Sequence, residues 1–131
     1  VKEYMDRAAE QARKVGFVST IFGRRRYLND INSRNAVARG VAERNAINAP
    51  IQGSAADIMK LAMVEMHRKM RAAGLRSRMI LQVHDEIVID LYRPEQEAVA
   101  KIVVEAMERA AQLSVPLTVD YGVGENWLEA H

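Results

Sequence analysis

Two apolar runs, Met79-Ile80-Leu81-Gln82-Val83 and Ile87-Val88-Ile89-Asp90-Leu91, are separated by only three residues. So short a connection permits an antiparallel pair and nothing else, because parallel strands need a crossover of about a dozen residues or more. The turn between the runs is His84-Asp85-Glu86. Tight hairpin turns need positive φ, which Asn-Gly, Asp-Gly or Gly-X pairs usually supply. Here two acids and an imidazole stand in that place, and local rules tend to fail at functional sites. A carboxylate projecting from a rigid hairpin is a suitable ligand for a hard divalent cation such as Mg²⁺, which completes its shell with phosphate and water. Asp90 cannot share such an ion with Asp85, since five residues at about 3.3 Å each separate them by roughly 16 Å. Taken alone, the triplet reads more simply as a solvated acidic turn.

The rest of the chain predicts helices around this hairpin. Residues 1–14 carry Tyr4, Met5, Ala8 and Ala12 at helical spacing, with Gly16 as a stop. Short β-prone runs at 17–21 and 25–28 flank Phe22-Gly23 and predict a second hairpin or ribbon. A helix is expected from about Arg34 to Ile47, with Val37, Ala38, Val41, Ala42 and Ala46 as its apolar stripe. Pro50 removes a backbone donor and should stop or kink it near Asn48. A longer helix follows over roughly 51–73, its apolar positions being 51, 55, 58, 59, 62, 66 and 70. Ser54 and Asp57 match a capping box, so its start can also be placed nearer Ser54. Pro94 opens a helix to about Gln112, and 117–123 reads as a last strand. The expected class is α+β: an antiparallel hairpin plus one further strand, packed against several helices.

Composition excludes more than it selects. No apolar run approaches the ~20 residues of a membrane span, and no secretory pattern opens the chain. The absence of cysteine excludes a disulfide scaffold and a thiolate metal site. With 19 Lys+Arg against 17 Asp+Glu, the net charge of +2 announces no particular partner. The average conceals a local excess: Arg24, Arg25, Arg26, Arg34, Arg39 and Arg44 face only Asp30 and Glu43. Arginine's planar fork suits phosphate, although a solvated basic face would look the same. Arg44 also continues the apolar stripe with a cation, and Asn48 and Gln52 follow at steps of four. Those side chains suit phosphates, sugars and minor-groove acceptors, or equally a snorkelling arginine beside two junction amides. The chain starts at Val1 inside a helix-like pattern, so it is expected to be a fragment.

Taken together, these residues resemble family A DNA polymerases, the bacterial DNA polymerase I type. Residues 43–57, Glu-Arg-Asn-Ala-Ile-Asn-Ala-Pro-Ile-Gln-Gly-Ser-Ala-Ala-Asp, resemble the stretch that follows the fingers. Gln82-Val83-His84-Asp85-Glu86 resembles palm motif C, and Gly122-Val123-Gly124-Glu125-Asn126-Trp127 the carboxyl-terminal ending. Order and spacing agree for all three, and the likeness covers essentially all 131 residues. It implies one incomplete unit, 1–131, made of the end of the fingers and the palm, with a palm-type hairpin.

The resemblance also implies template-directed nucleotidyl transfer, from a deoxynucleoside triphosphate (dNTP) to a primer 3′ hydroxyl, with two Mg²⁺ ions. Asp85 would be one of two palm aspartates on those ions, and Glu86 beside it would tune the site. His84 would approach the primer terminus. Arg44, Asn48 and Gln52 would contact primer and template near the minor groove, with Arg24, Arg25 and Arg39 as weaker backbone contacts. The implied partners are primer-template DNA and dNTP, the implied state a monomer, and the implied setting the bacterial cytoplasm and nucleoid. The second catalytic aspartate and the nucleotide-holding fingers helix belong before residue 1 in the family, so the isolated chain is expected to be inactive. Two alternatives stand beside this reading. One is a nucleic-acid-binding module without chemistry. The other is a relative of the single-subunit RNA polymerases, against which Glu86 and the Gly-Glu-Asn-Trp ending speak.

Overall fold

The computed structural model describes residues 1–131 as two compact units, 1–57 and 58–131. The first holds α1 (Lys2–Val15), strands β1 (Phe17–Ser19) and β2 (Arg25–Tyr27), and the opening of α2 (Ala36–Ala72). The second holds the rest of α2, strands β3 (Arg78–Val83) and β4 (Glu86–Asp90), a 3₁₀ turn at Arg93–Glu95, α3 (Gln96–Glu108) and α4 (Trp127–Ala130). The mixture of helices with two separate antiparallel pairs is α+β, as the sequence predicts.

The first unit is built around helix alanines packed against three branched aliphatic side chains. Ala12 from α1, Val18 from β1, Leu28 and Ile31 from the loop, and Ala42 and Ala46 from α2 form its buried cluster. Alanine at these helical positions lets backbones approach closely with no side-chain entropy to lose. β1 and β2 pair in the register Phe17 with Tyr27 and Ser19 with Arg25. Asn35 starts α2, its Oδ1 accepting from the N–H groups of Val37 and Ala38 at 2.9 and 3.3 Å.

The helix does not break at Pro50. It is continuous from 36 to 72 with proline inside it, so of the stop or kink expected near Asn48 the stop does not occur. Proline forfeits one hydrogen bond, to the Ala46 carbonyl, and crowds that turn. The next carbonyl, Ile47, has a partner from outside the helix: the Tyr4 hydroxyl donates to it at 3.0 Å. Two further expectations change with continuity. Ser54 and Asp57 lie in mid-helix and cap nothing. The apolar stripe also divides, for Ala42 and Ala46 are buried while Val37 is 77% and Val41 45% exposed. Ile51, at 60%, and Ala55 belong to the same exposed side. From Ala62 on, through Met66 and Met70, the predicted stripe is buried.

In the second unit the chain leaves α2 after Ala72 through Gly74, whose φ of 66° closes the turn; its N–H reaches the Arg71 carbonyl and that of Leu75 the Met70 carbonyl. β3 and β4 pair antiparallel, with Ile80 as an extra residue between Met79 and Leu81. Such a bulge bends the strand that carries it. α3 ends at Glu108, four residues short of expectation. Residues 117–123 form no ladder, so the further strand is absent and the sheet has two strands. This segment is committed elsewhere. A Cβ on Gly122 would collide with the Ala130 carbonyl, and one on Gly124 would come within 2.7 Å of the Ala130 nitrogen. The glycines let the chain run tightly beside α4 instead of along a sheet edge.

Candidate nucleic-acid and metal-binding residues

The hairpin turn is tighter than the sequence suggested. Val83 pairs with Glu86, so the loop proper is His84-Asp85 and Glu86 begins β4. The positive φ that such a turn needs is taken by His84, at 53°, the only non-glycine residue with one. An L-residue in the left-handed region costs about 1–2 kcal/mol. The strand beneath supports it, the Gln82 side-chain amide donating to the His84 carbonyl at 2.6 Å.

The two carboxylates at this tip differ. Asp85 is exposed and makes no hydrogen bond or ion pair within the chain. Glu86 is half-buried and lies 2.8 Å from Nε2 of His131, whose ring stacks obliquely on Trp127. One acid is therefore open and its neighbour is engaged. No three His, Asp or Glu side chains gather to hold a metal. Asp85 fits as one hard oxygen ligand of an ion whose other positions are filled by water, phosphate or further carboxylates.

The base of the hairpin is fixed by a different acid. Glu95 accepts from the backbone N–H groups of Arg76 and Ser77 at 2.7 and 3.0 Å, and from the Ser77 hydroxyl at 2.8 Å. Burial works against its charge, but these donors, with the Arg76 cation, outweigh it and hold the carboxyl below the usual glutamate value. Ser77, 1% exposed, also accepts from the Tyr92 N–H, which ties the start of β3 to the end of β4.

In the first unit, the continuous α2 puts Arg44, Asn48 and Gln52 on one exposed stripe at i, i+4 and i+8. None of the three side chains is hydrogen-bonded within the chain. They share this side with Val37, Val41 and Ile51, opposite the buried alanines, so Arg44 is not a cation set into a core stripe.

The other predicted arginines are partly engaged. Arg24 donates through Nε to Asp57 Oδ1 at 2.8 Å. Arg25 lies over the Phe17 ring, 4.4 Å from its centre. Arg39 donates to the Ser33 carbonyl at 3.1 Å. Sequence reasoning missed Thr20 and His131, and it read Ser54 and Asp57 as a helix cap. Asp57, 6% exposed, also accepts from the Thr20 hydroxyl at 2.7 Å, and Ser54 Oγ accepts from the Ile21 N–H at 3.0 Å. The available signal was Gly53 four residues before Asp57 on one helix face, a gap beside an acid.

The same chain carries a hairpin tip with one open carboxylate and a helix stripe of Arg, Asn and Gln. The chain belongs to DNA polymerase family A, whose model matches residues 1–129. It is 52% identical over 130 residues to DNA polymerase I of Streptococcus pneumoniae, covering 99% of this chain and 15% of that protein. It is 52% identical over 131 residues to DNA polymerase I of Pseudomonas aeruginosa, covering all of this chain and 14% of that protein. The thermostable DNA polymerase I of Thermus thermophilus is 48% identical over 130 residues, again 99% of this chain and 15% of the relative. The fold is similar to the POL domain of Pol1 from M. smegmatis, solved in complex with DNA primer-template and dNTP. The TM-score is 0.97 at 48% identity, over 98% of this chain and 23% of that one. This chain therefore spans about 15% of the length of the curated relatives it matches.

Proposed function

We propose that this chain is the carboxyl-terminal part of the polymerase domain, the end of the fingers and the palm, of a bacterial DNA-directed DNA polymerase. The observation that carries the reading is Asp85: an exposed, unbonded carboxylate on a two-residue turn held by its own strands, in a chain of this family.

In this reading Asp85 is one ligand of a divalent site, with Mg²⁺ as the ion and two ions in the whole enzyme. The chemistry such ions supply is charge neutralisation at the attacking and leaving oxygens of an in-line phosphoryl displacement. The side chains of this chain do the rest of what falls to it. Glu86, 2.8 Å from Nε2 of His131, stands beside Asp85 and tunes the site. His84 presents its imidazole to the primer terminus. Arg44, Asn48 and Gln52 donate to minor-groove acceptors, which are nearly alike in all base pairs and so report pair geometry without sequence. Arg24, Arg25 and Arg39 meet the phosphate backbone. The resemblance places only one of the two metal-binding palm aspartates, Asp85, in this chain, so the 131-residue chain by itself is expected not to polymerise. No helix is long and apolar enough to cross a membrane. In this reading the whole enzyme works as a monomer in the bacterial cytoplasm, at the nucleoid.

Primer extension by the full-length protein tests this. Incorporation should require Mg²⁺, disappear on chelation, and be abolished by Asp85→Asn with primer-template binding largely retained. Retained incorporation would remove Asp85 from the metal site. Tight DNA binding with no incorporation by the unaltered protein would instead mark a binding module.

A further inference from the structure

Asp57 is an acid in a place where an acid is costly. It is 6% exposed, on the side of α2 opposite Gln52, and it serves the tip of the β1–β2 hairpin. One oxygen takes the Thr20 hydroxyl and the other takes Arg24 Nε, at 2.7 and 2.8 Å. Thr20 Oγ1 in turn accepts from the N–H groups of Phe22 and Arg24, at 3.3 and 3.2 Å, which shapes the turn between the strands. Ser54 receives the Ile21 N–H one helical turn away, and a Cβ on Gly53 would come within 2.7 Å of the Thr20 methyl. Gly53, Ser54 and Asp57 thus form a socket for the hairpin tip.

The bond to Arg24 uses Nε, not the two Nη nitrogens, and the arginine side chain is still 63% exposed. A buried carboxylate that grips a guanidinium by Nε fixes its plane and leaves the forked Nη end for another acceptor. Phosphate matches that fork. We infer that Asp57 is a positioning residue: through Nε it orients Arg24, at the head of the Arg24-Arg25-Arg26 run, to take a phosphate of bound DNA. This deepens the proposed function and rests on it.

Electrostatics and positioning make opposite predictions here. Removing a negative charge beside a DNA-binding arginine should tighten DNA binding if Asp57 acts only through charge. If it orients Arg24, removing it should loosen binding. The test is the primer-template Kd of the full-length protein across a salt series, with the melting temperature read in parallel. Arg24→Ala should weaken binding and reduce the salt slope by about 1. Asp57→Asn should weaken it severalfold, and should add no further loss in the Arg24→Ala background. Arg24→Lys, which keeps the charge but cannot be gripped through Nε, should also weaken binding. It also carries the test should Asp57→Asn fold poorly. Tighter or unchanged binding in Asp57→Asn overturns the inference, as does an equal loss with and without Arg24, or wild-type affinity in Arg24→Lys. Failure of the unaltered protein to bind primer-template overturns the proposed function itself, a distinct result.

Discussion

The Tyr4 hydroxyl of α1 donates to the Ile47 carbonyl of α2 at 3.0 Å, one residue past the carbonyl that Pro50 leaves without its helical donor. The bond is partly buried and joins residues 43 apart in sequence. Tyr4→Phe keeps the ring and removes the donor. It should cost about 0.5–1.5 kcal/mol, the net worth of such a bond, seen as a lower melting temperature. A loss no larger than that of an exposed tyrosine would mean that water replaces the hydroxyl freely.

At the hairpin tip, backbone strain and proposed chemistry meet in His84. Its φ of 53° suits glycine better than an L-residue. His84→Gly relieves about 1–2 kcal/mol of strain but gives back roughly 0.5–1 kcal/mol through the freer unfolded chain. The melting temperature should hold steady or rise slightly while primer extension falls. Full extension by the glycine variant would show that the imidazole takes no part at the primer terminus.

Arg44 is exposed and makes no bond within the chain, so its removal should not disturb the fold. Arg44→Ala should leave the melting temperature within the small range of surface substitutions. At the primer terminus it should cost ~1–3 kcal/mol, the range of a good bidentate contact. Comparing extension from matched and mismatched ends measures it, and equal rates for both proteins on both ends would rule the contact out.

Glu95 makes the second unit sensitive to acid. Its folded carboxyl titrates below its unfolded value, because the Arg76 and Ser77 donors outweigh burial. A depressed carboxyl contributes stability that is complete above the unfolded pKa, about 4.3 for glutamate. That stability is lost as pH falls through the lower folded value. Glu95→Gln should melt lower than wild type at neutral pH, and the two should converge in acid. Parallel melting curves at every pH would show that the Ser77 and Arg76 contacts persist without the charge.

Much of this was readable from the chain because it depends on neighbours in sequence. Helical spacing located α1 and the later half of α2, short connections forced both hairpins, and Arg44 and Asn48 at a step of four share one helix side. The errors fall where a distant residue decides. A proline can end a helix or sit within it, and the Tyr4 hydroxyl that bonds the turn before Pro50 lies 43 residues away. Ser54 and Asp57 read as a cap because spacing alone cannot tell a first turn from a middle one.

The same distinction separates the two candidate sites. From the sequence alone it follows that Asp85 stands at a hairpin tip, between two apolar runs with a short connection, and that Arg44 and Asn48 fall four apart on a helix. Gln52 joins their stripe only because the helix runs on through Pro50. Only the tertiary structure decided which polar groups are open and which are spent. Asp85 is open because nothing folds over the turn, whereas Glu86 is engaged by a histidine 45 residues later. Arg24 is gripped because the hairpin lays it against a buried acid on α2. A charge's availability depends on what the chain brings to it through space, and spacing along the sequence carries no record of that.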